Sequence, residues 1–316
     1  MKFPSYKWIV LIAFLLTLCY LNNRYEIFAL NISKGQGNEK TEGRFRVMTW
    51  NVNGPIGDKA EIKKKGILEE IINWEPDILC FQELSPKPFK EMKVSLDSIF
   101  GYTDSMEIKK ESERYWLYSK KPIRNFKRYS CVTKIDTTGF NQTQQNKVKE
   151  LDKGMPVFSA EIEVSPNRWI TVFACHLCSS GYSSARLSME KGSSWEDGIP
   201  LYIENYKTGK KIRDFEADIF RFYLDSLESA DIPIIIAGDF NDWSGSYCMN
   251  TIRDSKYKDV WWEGGFGFGV TYDDWHLKLR LDHILYNQHF QQYKIKVNKN
   301  PLSDHYPLIA DFILQR

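Results

Sequence analysis

Residues 232–242 read IPIIIAGDFND, and the rest of the chain is organised around them. The β-branched apolar run predicts a strand that is buried on both faces. We expect Gly238 to let the backbone turn at the strand end, so that Asp239 and Asn241 point into a cleft. A carboxylate and a carboxamide two residues apart are a candidate site, although Asp and Asn also commonly shape polar turns. Polar residues at other predicted strand ends distinguish between these two interpretations.

The composition is that of a large globular protein. The chain has 316 residues, of which 42% are hydrophobic and 15% aromatic, so one or two domains with a large core are expected. Its 43 basic and 41 acidic residues leave a formal net charge of +2, unlike a polybasic nucleic-acid binder. Six cysteines in a chain of this length do not indicate a disulfide scaffold. Charge and cysteine content therefore do not identify a substrate.

An uninterrupted apolar run, residues 8–21, follows Lys2 and Lys7 at the N-terminus. This is the layout of a signal sequence or a signal anchor, with a buried core helix as the alternative. A helix over this run would span about 21 Å, against roughly 30 Å of hydrocarbon core, so an uncleaved span would need flanking residues. We expect residues 1–30 to direct export, with retention as a membrane anchor favoured over cleavage and secretion. Residues 31–43 are polar and glycine-containing, which predicts a linker.

Two predicted strands in the first half of the folded body end in polar residues. The segment RVMTWNVNG carries Asn51 and Asn53 at its end, where they could offer oxygen ligands to a metal or amide donors to a phosphate. The segment PDILCFQEL ends with an acid, Glu83. A glutamate at the mouth of an apolar strand is costly unless a cation meets it, and a divalent metal is the simplest partner. An Arg or Lys partner is the alternative. Between the two strands, residues 58–73 predict an amphipathic helix.

The middle of the chain predicts a hairpin followed by a long insertion. Residues 155–164 and 168–177 have the pattern of paired strands, and His176 ends the second of them. A histidine beside aliphatic residues is either structural or catalytic. Residues 178–211 are rich in Ser, Gly, Lys and Tyr and predict a long loop, which is typical of functional or disordered segments. A helix over residues 212–229 then leads back to the central strand.

The last part of the chain carries two further groups of polar residues. Residues 261–269 (WWEGGFGFG) predict an aromatic, glycine-rich loop. Residues 279–286 (LRLDHILY) predict a strand with Asp282 in its middle, and Asp304 and His305 precede a final strand. Polar groups at the ends of separate strands converge in layered α/β folds. Hard oxygen ligands, a base for water and a histidine that meets phosphate charge are what metal-assisted phosphoester hydrolysis requires.

The sequence resembles the endonuclease/exonuclease/phosphatase superfamily over about residues 44–316. The segments that carry the resemblance, in the family's order, are WNVNG, DILCFQE, FACHL, IIIAGDFND, LDHILY and SDHYP. The resemblance implies an α/β (α+β) fold, a four-layer sandwich of two mixed β-sheets flanked by helices, with the site between the sheet edges. It implies Mg²⁺ or Mn²⁺ as the cofactor. It also implies phosphoester substrates, which could be nucleic acids, phospholipid head groups or small phosphoesters, and we expect a monomer.

The same resemblance implies roles for residues around the metal. Glu83 resembles the principal metal ligand, with Asn51 nearby on metal or phosphate. Asp304 is expected to lie close enough to help hold the metal. Asp239 resembles the residue that activates or orients the attacking water, and Asn241 the residue that fixes its geometry and binds phosphate.

Histidines and a further asparagine complete the implied site. His305, oriented by Asp282, is expected to stabilise phosphoryl charge or exchange protons, and the division of base duty between His305 and the preceding Asp239 stays open. His176 resembles the phosphate-contacting histidine of the deoxyribonuclease and sphingomyelinase branches. Asn53 is expected to bind substrate. One departure is a histidine at position 283, where many relatives carry tyrosine.

The alternatives are a sphingomyelinase-like phospholipase and a binding protein that kept the fold without catalysis. The intact set of candidate residues argues against the second.

Overall fold

The computed structural model describes residues 6–25, 27–30, 43–54, 59–84, 86–100, 116–129, 157–179, 195–274 and 277–315, together with residues 138, 142 and 145. Its strands are β1 (Ala29–Leu30), β2 (Phe45–Asn51), β3 (Ile78–Gln82), β4 (Trp116–Ser119), β5 (Ile123–Arg128), β6 (Val157–Ser165), β7 (Arg168–His176), β8 (Ile234–Asp239), β9 (Lys258–Asp259), β10 (Phe266–Gly267), β11 (Tyr272–Asp274), β12 (Leu277–Leu279), β13 (Asp282–Tyr286), β14 (Phe290–Val297) and β15 (Leu308–Leu314). Its helices span Tyr6–Tyr25, Ala60–Trp74, Pro86–Phe100, Trp195–Glu228, Tyr247–Arg253 and Val260–Gly264.

Two mixed sheets form the centre of the molecule. One has six strands in the order β5-β6-β7-β8-β13-β9, and the other has five in the order β14-β15-β2-β3-β4. The pairs β2/β3 and β7/β8 are parallel, and the other neighbours within these sheets are antiparallel. Apolar side chains from the inner faces, such as Val47 and Ile78 from one sheet and Val172 and Ile235 from the other, form one buried cluster. The two sheets therefore pack face to face.

Helices cover the outer face of each sheet. Helix Trp195–Glu228 and helix Tyr247–Arg253 contribute to an apolar cluster with β7 and β8. Helices Ala60–Trp74 and Pro86–Phe100 contribute to a cluster with β2 and β3. The predicted four-layer sandwich of two mixed sheets flanked by helices is therefore confirmed.

The central strand β8 is buried along its whole length, as predicted. Gly238 lies inside this strand, and a Cβ atom placed on it would come within 1.9 Å of the carbonyl oxygen of Cys175 in β7. The expectation that this glycine makes the turn is wrong, because the residue is needed for the close approach of two backbones. The turn is made two residues after the strand by Asn241, whose φ of 51° lies in the left-handed region that asparagine tolerates.

Two element boundaries differ from the sequence expectations. The helix predicted over residues 212–229 begins at Trp195, so the second half of the predicted long loop is helical. In the first part of this helix, buried and half-buried residues such as Tyr202, Tyr206 and Gly209 recur at helical spacing. These residues are not aliphatic, so the sequence showed no clear apolar pattern there. Asp282 begins β13 instead of lying mid-strand, because the N–H groups of Leu281 and Asp282 both donate to Thr271 Oγ1 at 3.0 Å.

The N-terminal segment contacts the aromatic, glycine-rich segment. Helix Tyr6–Tyr25 exposes many of its apolar side chains, Phe14 and Leu16 among them. β1 pairs with β10, and the Phe28 ring lies edge-on to Phe266 and Phe268, so the segment predicted as a simple loop contains a helix and a strand. Of the helices that the structure describes, none has the length and apolar character needed to cross a membrane. Most of the predicted linker, residues 31–42, lies outside the described residues.

Candidate active site

The topology brings five of the predicted polar residues to one edge of the sandwich. Asn51 ends β2 and Glu83 follows β3, and these two strands are parallel. His176 ends β7 and Asp239 ends β8, which are also parallel and pair these two residues in register. Asp282 begins the antiparallel strand β13 directly opposite Asp239. Both sheets therefore deliver side chains to the same end of the molecule.

Glu83 and Asp239 converge although they belong to different sheets. His176 Nε2 lies 3.5 Å from Glu83 Oε1 and 3.5 Å from Asp239 Oδ2. Asn51 Nδ2 donates to the same two carboxylates, at 3.2 and 2.9 Å. Within the described residues, the ion-pair partners of these carboxylates are histidines, His176 and His305, and not Lys or Arg. Two convergent carboxylates that pair with no Lys or Arg of the described residues fit a divalent metal, which prefers hard oxygen ligands.

The backbone around Glu83 fixes the direction of its side chain. Glu83 has a φ of 56°, a left-handed conformation that is uncommon for a non-glycine residue. Its carbonyl accepts the N–H of Gly54 at 3.0 Å, so the residue is tied to the segment that follows β2. Backbone strain of this kind persists only where the surroundings impose it, and it clusters at functional sites.

Asn51 presents a donor to the carboxylates. Its Oδ1 accepts the backbone N–H of Asn53 at 3.0 Å, which leaves Nδ2 facing Glu83 and Asp239. The amide thus stabilises the two carboxylates directly, and a role as a metal ligand would require the opposite amide orientation. Asn53 itself is exposed beside the site, with a φ of 41°. Its contact with substrate stays a prediction.

Asp239 uses its two oxygens differently. Oδ1 accepts the backbone N–H of Asn241 at 2.8 Å, whereas Oδ2 faces Asn51, His176 and His305. The Asn241 side chain donates to the carbonyl of Leu177 at 2.9 Å. Asn241 therefore joins the ends of β7 and β8 and holds the orientation of the Asp239 carboxylate.

His305 and Asp282 form a buried pair beside Asp239. His305 Nδ1 lies 2.8 Å from Asp282 Oδ2, and Nε2 lies 3.8 Å from Asp239 Oδ2. The ring packs against Tyr272, with 4.8 Å between ring centroids. Burial opposes the charged imidazolium, but the charges of Asp282 and Asp239 outweigh it and raise the pKa of His305 to about 10. The predicted orientation of His305 by Asp282 is thus present in the structure.

Asp239, Asp282 and His305 each offer one carboxylate oxygen or ring nitrogen, and these three atoms lie within 4.8 Å of one another. Such a spacing could also hold a metal ion. The Asp282 and His305 atoms already bond to each other, so a metal ion among these three groups would have to displace that contact. Asp304 lies outside this group of three. Its Oδ1 accepts from Ser303 Oγ at 3.2 Å, and its charge contributes to the raised pKa of His305.

Sequence reasoning assigned no role to the residues that support the loop after β8. The fully buried His283 contacts Asp259 Oδ2 through Nδ1 at 2.7 Å and the carbonyl of Asp242 through Nε2 at 3.1 Å. Burial alone would raise the pKa of Asp259, but Arg280 and His283 hold it well below its usual range. The histidine at this departure from the family pattern therefore has a structural role. Its partners are 24 and 41 residues away in the chain, so no local pattern reveals them.

The chain belongs to the endonuclease/exonuclease/phosphatase family, whose model matches residues 48–305. Enzymes of this family are divalent-metal-dependent phosphoester hydrolases. No curated protein matches the sequence.

Solved structures share the fold at low sequence identity. The human Nocturnin catalytic domain with bound sulfate superposes with a TM-score of 0.60 and 19% identity, covering 86% of this chain and 94% of that one. ANGEL2, a 2',3'-cyclic phosphatase in complex with adenosine-2',3'-vanadate, gives 0.59 and 16%, covering 86% and 96%. TDP2 from D. rerio with a single-strand DNA product gives 0.58 and 15%, covering 86% and 99%. At these identities the likeness shows the fold alone.

Proposed function

We propose that this protein is an exported hydrolase of phosphoester bonds that depends on Mg²⁺ or Mn²⁺. One observation carries the proposal: Glu83 and Asp239 come from different sheets and converge beside His176 and the buried Asp282–His305 pair. This combination supplies anionic ligands together with two histidines. It matches the needs of attack by water on a phosphoester.

A divalent ion held by Glu83 and Asp239 would polarise the phosphoryl group and lower the pKa of a bound water. The chain's own residues supply the remaining functions. Asp239 would accept a hydrogen bond from the attacking water through Oδ2, because its Oδ1 already accepts the N–H of Asn241. His305 is held by Asp282 through Nδ1, so its Nε2 faces the site and can stabilise phosphate charge. His176 lies beside both carboxylates, which supports a role in contacting a phosphoryl oxygen.

Nucleic acids and small phosphoesters are the substrates that we favour. TDP2 and ANGEL2, which share the fold, are described with a DNA product and a nucleoside vanadate. The formal net charge of only +2 argues against tight binding of duplex DNA, which depends on many Lys and Arg contacts to phosphates. We therefore place single-stranded or small substrates ahead of duplex DNA.

A sphingomyelinase-like phospholipase is the second candidate. The observation that favours it is the pair of exposed rings Phe266 and Phe268, which contact Phe28 shortly after the apolar helix Tyr6–Tyr25. Exposed aromatic residues beside apolar surface are common where proteins meet lipid.

The deciding experiment is a hydrolysis panel with the purified domain. Substrates are plasmid DNA, RNA, sphingomyelin, inositol phosphates and bis-p-nitrophenyl phosphate, each with Mg²⁺, Mn²⁺ or EDTA. We expect metal-dependent turnover that EDTA abolishes, and preference for RNA or bis-p-nitrophenyl phosphate over plasmid DNA. Turnover of sphingomyelin alone would favour the phospholipase. Lack of turnover of every substrate with either metal would favour a binding protein that kept the fold.

Export of the domain is supported by the apolar run at residues 8–21 behind two lysines. Protease added to intact cells, or to spheroplasts if an outer membrane blocks access, should cleave the folded domain. Protection until lysis would contradict this placement. A monomer in solution is our expectation for the oligomeric state, and light scattering after gel filtration tests it.

A further inference from the structure

A buried arginine contacts both loops that carry candidate catalytic residues. Arg213, on helix Trp195–Glu228, is fully buried. Its Nη1 donates to the carbonyl of Cys178 at 2.8 Å, two residues after His176. Its Nε donates to Asp242 Oδ2 at 3.3 Å, one residue after Asn241. One guanidinium thus joins the segment after β7 to the segment after β8.

The same helix holds the first of these segments a second time. Glu216 lies three residues after Arg213, so the two side chains share a helix face. Its Oε2 accepts the N–H of Cys178 at 2.9 Å. Both backbone polar groups of Cys178 are therefore bound by two buried side chains of one helix. The bond from the Arg213 guanidinium is charge-assisted, and such bonds are stronger than neutral ones.

The loop after β8 is held from a second direction as well. His283 Nε2 contacts the carbonyl of Asp242 at 3.1 Å, while Arg213 binds the Asp242 carboxylate. Asn241 directly precedes Asp242 in the chain, and its side chain donates to the carbonyl of Leu177. Displacement of Arg213 would therefore loosen the placement of Asn241 and His176 together.

The free-energy cost of burying a guanidinium indicates the role of Arg213. Neighbouring positions of the helix, Ala217 and Phe220, pack on the sheet with apolar side chains. A buried charge is costly unless it is fully paired, and an apolar residue of similar volume often gives equal or greater stability. Arg213 lies on this helix where the two loops meet, so loop placement is the property that an apolar residue at position 213 would not supply.

We propose that Arg213 is a positioning residue, which sets the relative placement of His176 and Asn241 for the reaction. This inference rests on the proposed function for its kinetic consequence, and on geometry alone for its structural one. Misplacement of reacting groups by about 1 Å can cost about 10²-fold in rate. We therefore expect the effect to fall on kcat more than on KM.

The kinetic test compares three variants on bis-p-nitrophenyl phosphate with Mg²⁺. Arg213→Met removes the bridge at similar volume, and Arg213→Lys keeps the charge but cannot bind both partners with a planar fork. The matched control is Arg221→Met, because Arg221 lies on the same helix, is also buried, and binds Glu228 and the carbonyl of Ile252. We expect kcat to fall about 10- to 100-fold in Arg213→Met, to fall less in Arg213→Lys, and to stay within about twofold in the control.

The structural test needs no activity. Hydrogen–deuterium exchange followed by mass spectrometry measures the amides of residues 174–179 and 239–244, which include the N–H groups of Cys178 and Asn241. Exchange should rise at least about tenfold in both segments in Arg213→Met, whereas Arg221→Met should raise it near residues 252–257 instead.

Three results would overturn the inference. The first is unchanged exchange in both segments for Arg213→Met, even if the wild-type protein hydrolyses none of the substrates. The second is faster exchange with unchanged kcat in an active enzyme. The third is an equal loss of kcat in Arg221→Met. If Arg213→Met does not fold, hydrogen–deuterium exchange and kcat are measured on Arg213→Lys instead. A wild-type enzyme without activity contradicts the proposed function, and the exchange result alone then decides on the positioning contact.

Discussion

At the scale of single residues, contacts within the protein orient the carboxylates at the site. Asn241 binds one oxygen of Asp239 through its backbone, and the other oxygen faces the amide of Asn51. Glu83 is held in a left-handed backbone conformation and faces the same amide. Prearranged ligands lower the cost of organising a site when a cation binds. Changes to these side chains should therefore alter metal affinity and rate more than folding.

Glu83→Gln should weaken the metal dependence selectively, because it removes one anionic oxygen ligand and keeps the shape of the side chain. We expect activity to fall at low Mg²⁺ and to recover in part at high Mg²⁺. Titration of initial rates with Mg²⁺ measures this shift. The control is Glu69→Gln, an exposed glutamate on helix Ala60–Trp74. Equal Mg²⁺ requirements in Glu83→Gln and the parent would show that Glu83 is not a ligand.

His305→Asn and Asp282→Asn should act as one unit, because Asp282 fixes the ring of His305 at 2.8 Å and both are buried. Each single change should lower kcat by about 10² or more with a smaller change in KM. The double variant should lose far less than the product of the two losses. A double-mutant cycle built from the kcat values measures the coupling between the two residues. Fully multiplicative losses would show that the two residues work independently.

Glu216→Gln should alter how stability depends on pH. Burial raises the pKa of Glu216 to about 7 from its ordinary 4.5, against the opposing effects of the Cys178 N–H and Arg213. The folded chain then binds more protons than the unfolded chain between these values, so the wild-type protein loses stability as pH rises from about 4.5 to about 7. That loss is about 3 kcal/mol at most.

The Gln variant lacks this titration, so its free energy of unfolding relative to the wild type should increase over the same pH range. Urea unfolding at pH 5, 6, 7 and 8 measures it, with Glu69→Gln as the exposed control. A difference between variant and wild type that is the same at every pH would contradict the raised pKa.

At the scale of elements, the close approach of β7 and β8 aligns His176 with Asp239. The two strands are parallel and in register up to that pair, and Gly238 leaves room for the backbone of Cys175. Any side chain at position 238 would push the strands apart where the site begins. The glycine therefore serves both sheet packing and site geometry.

Gly238→Ala should destabilise the fold by at least about 2 kcal/mol, because the new Cβ would collide with a backbone oxygen that cannot move freely. Chemical unfolding measures the loss. The control is Gly66→Ala on helix Ala60–Trp74, where the nearest atoms belong to the flexible Leu302 side chain. Alanine is also the better helix former, so the control should stay within about 1 kcal/mol of wild type. Equal losses in both variants would contradict the packing role of Gly238.

At the scale of the whole molecule, the site is divided between the two sheets. One sheet supplies Glu83 and Asn51, and the other supplies His176, Asp239 and Asp282. His305 comes from the segment that precedes β15 of the first sheet and bonds to Asp282 of the second. A metal between Glu83 and Asp239 would therefore link the two layers.

Mg²⁺ should raise the melting temperature of the protein relative to EDTA, because a ligand that binds only the folded state stabilises it by about 2.7 kcal/mol at 100 times its Kd. Thermal unfolding across a Mg²⁺ series measures the effect. Glu83→Gln should require higher Mg²⁺ for the same shift, whereas Glu69→Gln should behave as the wild type. A melting temperature that does not respond to Mg²⁺ or Mn²⁺ would place the metal elsewhere or exclude it from the folded site.

The amino-acid sequence by itself indicated the buried strands and the polar residues at their ends, and its resemblance to a known family implied the layers of the fold. Strands such as IIIAGD and DILCFQ are recognisable because burial on both faces requires continuous apolar runs, and their polar ends are visible in the same short segments. Asn51, Glu83, His176 and Asp239 were predicted in this way, since parallel strands place their carboxyl ends at one edge. Asp282 was expected in mid-strand, and it begins the antiparallel strand β13 instead. The local sequence pattern was sufficient to predict these strands and their polar ends, because the evidence for each lies within one short segment.

The tertiary structure alone decided which partner each group has. His283 meets Asp259 across 24 residues, and Arg213 meets Asp242 across 29. The amide of Asn51 faces the carboxylates as a donor because Asn53 occupies its oxygen, and Gly238 is required by a backbone in another strand. Hydrogen-bond direction, close approach and the pairing of buried charges depend on atoms from distant segments. They are therefore settled only when the two sheets pack together.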